Sequence, residues 1–136
     1  MFRCLVLMGI RNRNAIDMYT LSKEFDFTRL QGAVVQQICF SKNNISLLLE
    51  KIGYITIEGR FTLSDDRGNK FDFEVYPVDK DFGLLKLIEQ KIEKVATNEM
   101  RTDIIFTFDD GHVLVLIGDE NYESYSIRVD NDEIRV

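Results

Sequence analysis

Two short runs of apolar residues, 103–108 and 112–117, flank the dipeptide Asp110-Gly111. Asp-Gly favours a two-residue hairpin turn, in which both central positions take positive φ and glycine does so at no steric cost. With these two residues as the loop, Phe108 lies opposite Val113, Phe106 opposite Val115 and Ile104 opposite Ile117, all on one face. Ile105 and Leu116, with Thr107 and Leu114, fill the other face, as in a strand pair covered on both sides.

A second copy of this pattern stands 68 residues earlier: Phe40, Leu48, Tyr54 and Arg60 match Phe108, Leu116, Tyr122 and Arg128 without a gap. Asn43 takes the place of the turn glycine. Residues 35–61 and 103–129 therefore read as two similar hairpin-plus-strand units, by duplication or by shared alternation alone. Residues 61–63 and 71–75 alternate as strands around the turn-rich 64–70, and Tyr76-Pro77 ends the second. Leu84, Leu85, Ile88, Ile92 and Val95 recur at helical spacing behind Asp79 or Asp81 as cap. The intervening Lys86, Glu89, Gln90, Lys91, Glu93 and Lys94 give that helix a wet face. A less regular helix or turn falls in 20–30. Residues 122–129 and 133–136 close the chain as strands around a turn at 130–132. The expected fold is α+β: a mostly antiparallel sheet, built from the two similar units, with one main helix packed on one face.

At 136 residues, with 45% hydrophobic and 29% charged side chains, the chain suits one globular domain spanning 1–136. Residues 1–17 read as an arm or an extra strand, with the apolar 4–10 as a buried strand or short helix. A start at Met18 is the alternative. No apolar run reaches the roughly 20 residues that span a bilayer. The two cysteines, Cys4 and Cys39, are too few for a disulfide scaffold, so both are read as reduced thiols and the protein as cytoplasmic.

The net charge of −6 is unevenly spread. Beyond residue 102, nine acids (Asp103, Asp109, Asp110, Asp119, Glu120, Glu123, Asp130, Asp132 and Glu133) face only Arg128 and Arg135. Leaving out Asp103, these acids are the candidate partner-binding residues. Their clustering would suit a basic protein partner. It argues against nucleic acid, despite Arg60, Arg67 and Lys70 around one loop.

No catalytic set stands out. His112 is the only histidine, and it caps a hairpin mouth. Cys4 and Cys39 lack the electropositive setting that activates a thiol. Asp65-Asp66 and Asp109-Asp110 fall in turns, where aspartates bond their own backbone. The run 130–133 lacks the spacing of a calcium loop. Glu123 shares a strand face with Tyr125, Ile127 and Val129. It is either buried and paired with Arg60 or Arg128, or set at a wet edge. The expectation is a non-enzyme with no cofactor and no metal.

The run Phe106-Thr107-Phe108-Asp109-Asp110-Gly111, followed by Tyr122-Glu123-Ser124-Tyr125, resembles small bacterial domains of unknown function. Those carry a Phe-x-Asp-Gly hairpin and then Tyr-Glu-Ser-Trp, with Tyr125 standing here for the tryptophan. Several such domains resemble immunity proteins, which neutralise toxins of competing bacteria. The resemblance implies a non-catalytic protein-binding domain, an immunity-type inhibitor of a basic toxin acting through the acidic C-terminal surface. The alternative is a small-molecule or peptide binding module with a pocket between helix and sheet. The oligomeric state, a homodimer included, stays open.

Overall fold

A computed structural model describes residues 25–136. The expectations for 1–17, for Cys4 and for the first part of 20–30 lie outside these residues. Ten strands run in chain order: β1 (Val35–Phe40), β2 (Ile45–Leu49), β3 (Gly53–Ile57), β4 (Arg60–Ser64), β5 (Lys70–Glu74), β6 (Ile92–Thr97), β7 (Ile104–Phe108), β8 (Val113–Leu116), β9 (Tyr125–Val129) and β10 (Asp132–Arg135). They form two five-stranded antiparallel sheets, ordered β1-β2-β3-β9-β10 and β5-β4-β8-β7-β6. The chain passes from the first sheet to the second at Glu58-Gly59 and returns through residues 117–124.

One buried cluster joins the inner faces. Ile45, Leu47, Ile55, Ile57, Tyr125 and Ile127 come from the first sheet, and Phe61, Ile104, Phe106, Phe108, Leu114 and Leu116 from the second. Period-2 alternation puts these side chains on one side of each sheet, and their burial is the main favourable contribution to folding. The outer face of the first sheet carries a buried row of small hydroxyls, Ser46, Thr56 and Ser126. Within it the Ser46 and Thr56 hydroxyls hydrogen-bond at 2.9 Å.

The architecture is all-β, which overturns the expected α+β class. Among the described residues no main helix packs on a sheet. Its apolar stripe is divided between a 3-10 turn, Leu84–Leu87, and the edge strand β6. Neither Asp79 nor Asp81 caps the turn. Gly83 stands there with φ +78°, and Glu89 at φ +73° ends any helical course. The misleading 3.6-residue spacing has a cause in the strand itself. The register of β6 on β7 shifts between Ile92 and Lys94. Such a bulge adds one residue, so positions three apart reach the same face as they do in a helix. Ile92 is fully buried, and Val95 packs against the core.

The two hairpin-plus-strand units also differ. Their third strands, β3 and β9, pair with each other in the first sheet, whereas the hairpin β7–β8 lies in the second. Phe40 is half-buried and Phe108 buried. Tyr54 sits within β3, whereas Tyr122 is an exposed loop residue. The loops differ in length as well, two residues between the bonded Ser41 and Asn44 and three between the bonded Phe108 and His112. Shared alternation is all the two copies have in common.

The β7–β8 register is one residue away from expectation. Phe106 lies opposite Leu114 and Ile104 opposite Leu116. Gly111 does have positive φ, +97°, but it closes a three-residue loop in which its N–H donates to the Phe108 carbonyl. Because strand faces alternate, that single step moves Val113 and Val115 to the outer face and buries Leu114 and Leu116.

Cys39, expected as a free thiol, is disulfide-bonded and buried. Among the described residues, no helix is long and apolar enough to cross a membrane.

Candidate functional site

The connection from β5 to β6, residues 75–91, carries the chain from one edge of the second sheet to the other. On the way it folds Phe82, Leu84 and Leu87 into the core. Beside the β4–β5 and β7–β8 turns it leaves a cleft of about 240 Å³. The floor is Leu63, Phe71 and Phe73, which share the inner face of β4 and β5 because Leu63 lies opposite Phe71 and Phe61 opposite Phe73. Phe82, Gly83 and Lys86 form one wall, and Asp65 with His112 forms the rim.

The aromatic side is built edge to face. The Phe82 ring lies 5.1 Å from Phe73 at 61° and 5.7 Å from Phe61 at 86°. These are the arrangements the ring quadrupole favours. Phe71 stacks at 6.5 Å beside Phe73 and stays 56% exposed. Gly83 turns the wall with a positive φ, and a Cβ there would meet Leu63 at van der Waals contact, 3.4 Å.

The two rim groups are both fixed by their turns. Asp65 Oδ1 accepts the backbone N–H groups of Arg67 and Asn69 at 2.9 Å, and Oδ2 accepts the Asn69 side-chain amide at 2.9 Å. The Asn69 amide above all, with the two backbone donors and the nearby His112 adding to it, holds the Asp65 carboxyl below its usual range. His112 Nδ1 lies 2.8 Å from Asp110 Oδ2, and the His112 N–H donates to Asp110 Oδ1 at 3.0 Å. The imidazole is thus held by its own turn. No protein-family model, curated protein or solved structure matches this chain.

The acidic residues singled out in the sequence lie in separate loops. Asp109 and Asp110 form the β7–β8 turn, where Asp109 Oδ1 accepts the Lys91 N–H at 3.2 Å. Asp119 and Glu120 lie in the loop after β8. There Asp119 caps Asn121 at 2.8 Å, and its charge raises the Tyr122 hydroxyl above its ordinary value. Asp130 and Asp132 grip Arg29 at 2.9 and 2.6 Å. Glu123 and Glu133 lie 3.6 and 3.3 Å from Arg135, with all three side chains mostly buried. Glu123 is thus largely buried, as one reading of its strand face required, but its cation is Arg135 rather than Arg60 or Arg128. Only Glu123 and Glu133 are thus mostly buried, while Asp109, Asp110, Glu120, Asp130 and Asp132 stay exposed. Among the described residues no group of three His, Cys, Asp or Glu could hold a metal ion.

A second groove, about 330 Å³, lies between residues 29–34 and 50–52. Two long cations line it, Arg29 and Lys51, and Arg29 is already held by Asp130 and Asp132.

Sequence reasoning passed over Phe71, Phe73, Phe82 and Lys86. One signal was present: Phe71 and Phe73 alternate with Lys70, Asp72 and Glu74 in a strand that leaves Phe71 largely in water. Phe82 and Lys86 carried none, because their approach to β5 depends on the path of the whole 75–91 connection.

Proposed function

We propose that this chain is a non-catalytic protein-binding domain that receives an apolar side chain of its partner in the aromatic cleft. The observation that carries this reading is a cleft whose floor and wall are aromatic and whose rim is rigid. Its size supports a single side chain over a whole ligand, since about 240 Å³ falls below the roughly 300–1,000 Å³ of sites that enclose drug-sized molecules. The exposed Phe71 beside it is the kind of aromatic anchor that dominates protein contacts. The lining holds no hydroxyl or thiol nucleophile, and Asp110 and His112 form a pair local to one turn, which supports a structural role for that pair.

The acidic surface contributes less in this reading, because Arg29 and Arg135 offset part of the charge of Asp130, Asp132, Glu123 and Glu133. Titration of the ¹⁵N-labelled protein with N-acetyl-phenylalaninamide tests the proposal. Amide shifts should concentrate at 71–73, 82–86 and 112 and vanish in Phe71→Ser, which keeps the fold because that ring is already exposed. Shifts confined to the groove at 29–34 and 50–52, or no shifts anywhere, would refute it.

A further inference from the structure

A strand at the rim of a sheet presents half of its backbone groups unpaired. β5 is one of the two rim strands of the second sheet. The Asp65 N–H donates to the Asn69 carbonyl and the Val75 N–H to the Gly59 carbonyl, at 3.0 and 3.1 Å. In the observed register those bonds turn the backbone groups of Phe71 and Phe73 inward to β4. The N–H and C=O groups of Lys70, Asp72 and Glu74 therefore point out from the edge, and all three residues are exposed.

The five residues Lys70-Phe71-Asp72-Phe73-Glu74 complement themselves when laid antiparallel. Asp72 then meets the second copy's Asp72 once, on the axis, whereas Lys70 meets Glu74 and Phe71 meets Phe73 twice each by symmetry. The outward backbone groups fall opposite one another, as a hydrogen-bonded ladder requires. The phenylalanines occupy the non-hydrogen-bonded positions, where cross-strand side chains come closest.

We propose that β5 pairs with β5 of a second copy about a two-fold axis at Asp72, joining the two second sheets into one continuous sheet. The contact is isologous and closes on itself. It covers Phe71, which the single chain leaves 56% exposed, and it adds the second copy's Phe73 beside the open side of the cleft. Asp72 opposes the contact, since like charges directly opposite destabilise. The two Lys70–Glu74 pairs offset it, so the dimer is weak and concentration-dependent. The pairing rests on the strand edge rather than on the cleft, but because it covers Phe71 it competes with a partner that docks on that ring.

Sedimentation velocity over a concentration series should show a monomer–dimer equilibrium. Lys70→Glu and Glu74→Lys each convert two attractive pairs into two repulsive ones and should weaken the dimer on the order of tenfold or more. Mixed in equal amounts, the two variants become complementary again, and heterodimers should form. Asp72→Pro should abolish pairing with an unchanged circular dichroism spectrum, because the lost N–H faces outward and Phe71 is already extended. Should that variant fail to fold, the mixing experiment decides alone. A protein that stays monomeric at every concentration, or a dimer indifferent to Lys70→Glu and to mixing, overturns the proposal.

Discussion

Gly111 joins the two turns that shape the cleft, and Gly111→Ala measures how strongly. Its φ is +97°, in the left-handed region, where an L-residue costs about 1–2 kcal/mol. A Cβ built there lies 2.7 Å from Asp66 Cβ and 3.2 Å from Asp66 Cα, so the β4–β5 turn must give way. Overpacking of that kind costs about 1–3 kcal/mol. The smaller unfolded-state entropy of alanine offsets about 0.4–1 kcal/mol. The net expectation is a loss of about 1–5 kcal/mol. Gly68 supplies the control: its φ is +86°, with nothing within 4 Å of a built Cβ. Gly68→Ala should therefore cost about 1 kcal/mol or less, the backbone share alone. Urea unfolding followed by circular dichroism gives both values. A double-mutant cycle with Asp66→Gly, which removes the atom that the new Cβ meets, should recover part of the Gly111→Ala loss. Equal losses at positions 111 and 68, or no coupling to residue 66, would refute the packing of the two turns against each other.

Tyr125 is buried, and its hydroxyl donates to the Thr102 carbonyl at 2.8 Å. Tyr125→Phe should lose about 0.5–1.5 kcal/mol in the same urea assay. Burial first, and the Asp103 charge second, push its ionisation far above the ordinary tyrosine range. A group with a raised folded-state pKa stabilises fully below its unfolded value, near 10, and loses that contribution as pH rises further. Tyr125 should therefore stay un-ionised in an alkaline absorbance titration until the protein unfolds. Asp65 has the opposite sign. Its folded-state pKa is depressed, so its contribution is present above the unfolded value, about 3.9, and is lost as pH falls below it. Asp65→Asn should flatten the acid limb of the stability curve below about pH 4 and leave neutral-pH binding at the cleft in place, as read by the Phe71–Phe73 amide shifts.

Local features were legible in the chain because their causes are local. Alternation placed strands at 61–63, 71–75, 122–129 and 133–136, close to the observed β4, β5, β9 and β10. The glycine after two aspartates required positive φ, and Gly111 has it. The length of that turn was not legible, since Asp109-Asp110-Gly111 suits a two-residue or a three-residue loop. The β7–β8 pairing itself chose the longer loop, which brings Leu114 and Leu116 into the core. The stripe from Leu84 to Val95 could not separate helix from bulged strand, because both bring positions three apart onto one face. What decided it was long-range: the outer edge of β7 takes β6 as its partner, and Glu89 and Gln90 hydrogen-bond back to Val35. The cleft lay further still from the sequence. Leu63, Phe73, Phe82 and His112 belong to four segments, and only the folding of 75–91 across the sandwich brings them together. Alternation and turn chemistry act over a few residues, so the chain declares them at once. Sheet membership, loop register and the cleft depend on which distant strand supplies the missing hydrogen bonds, and that choice exists only once the sheets have formed.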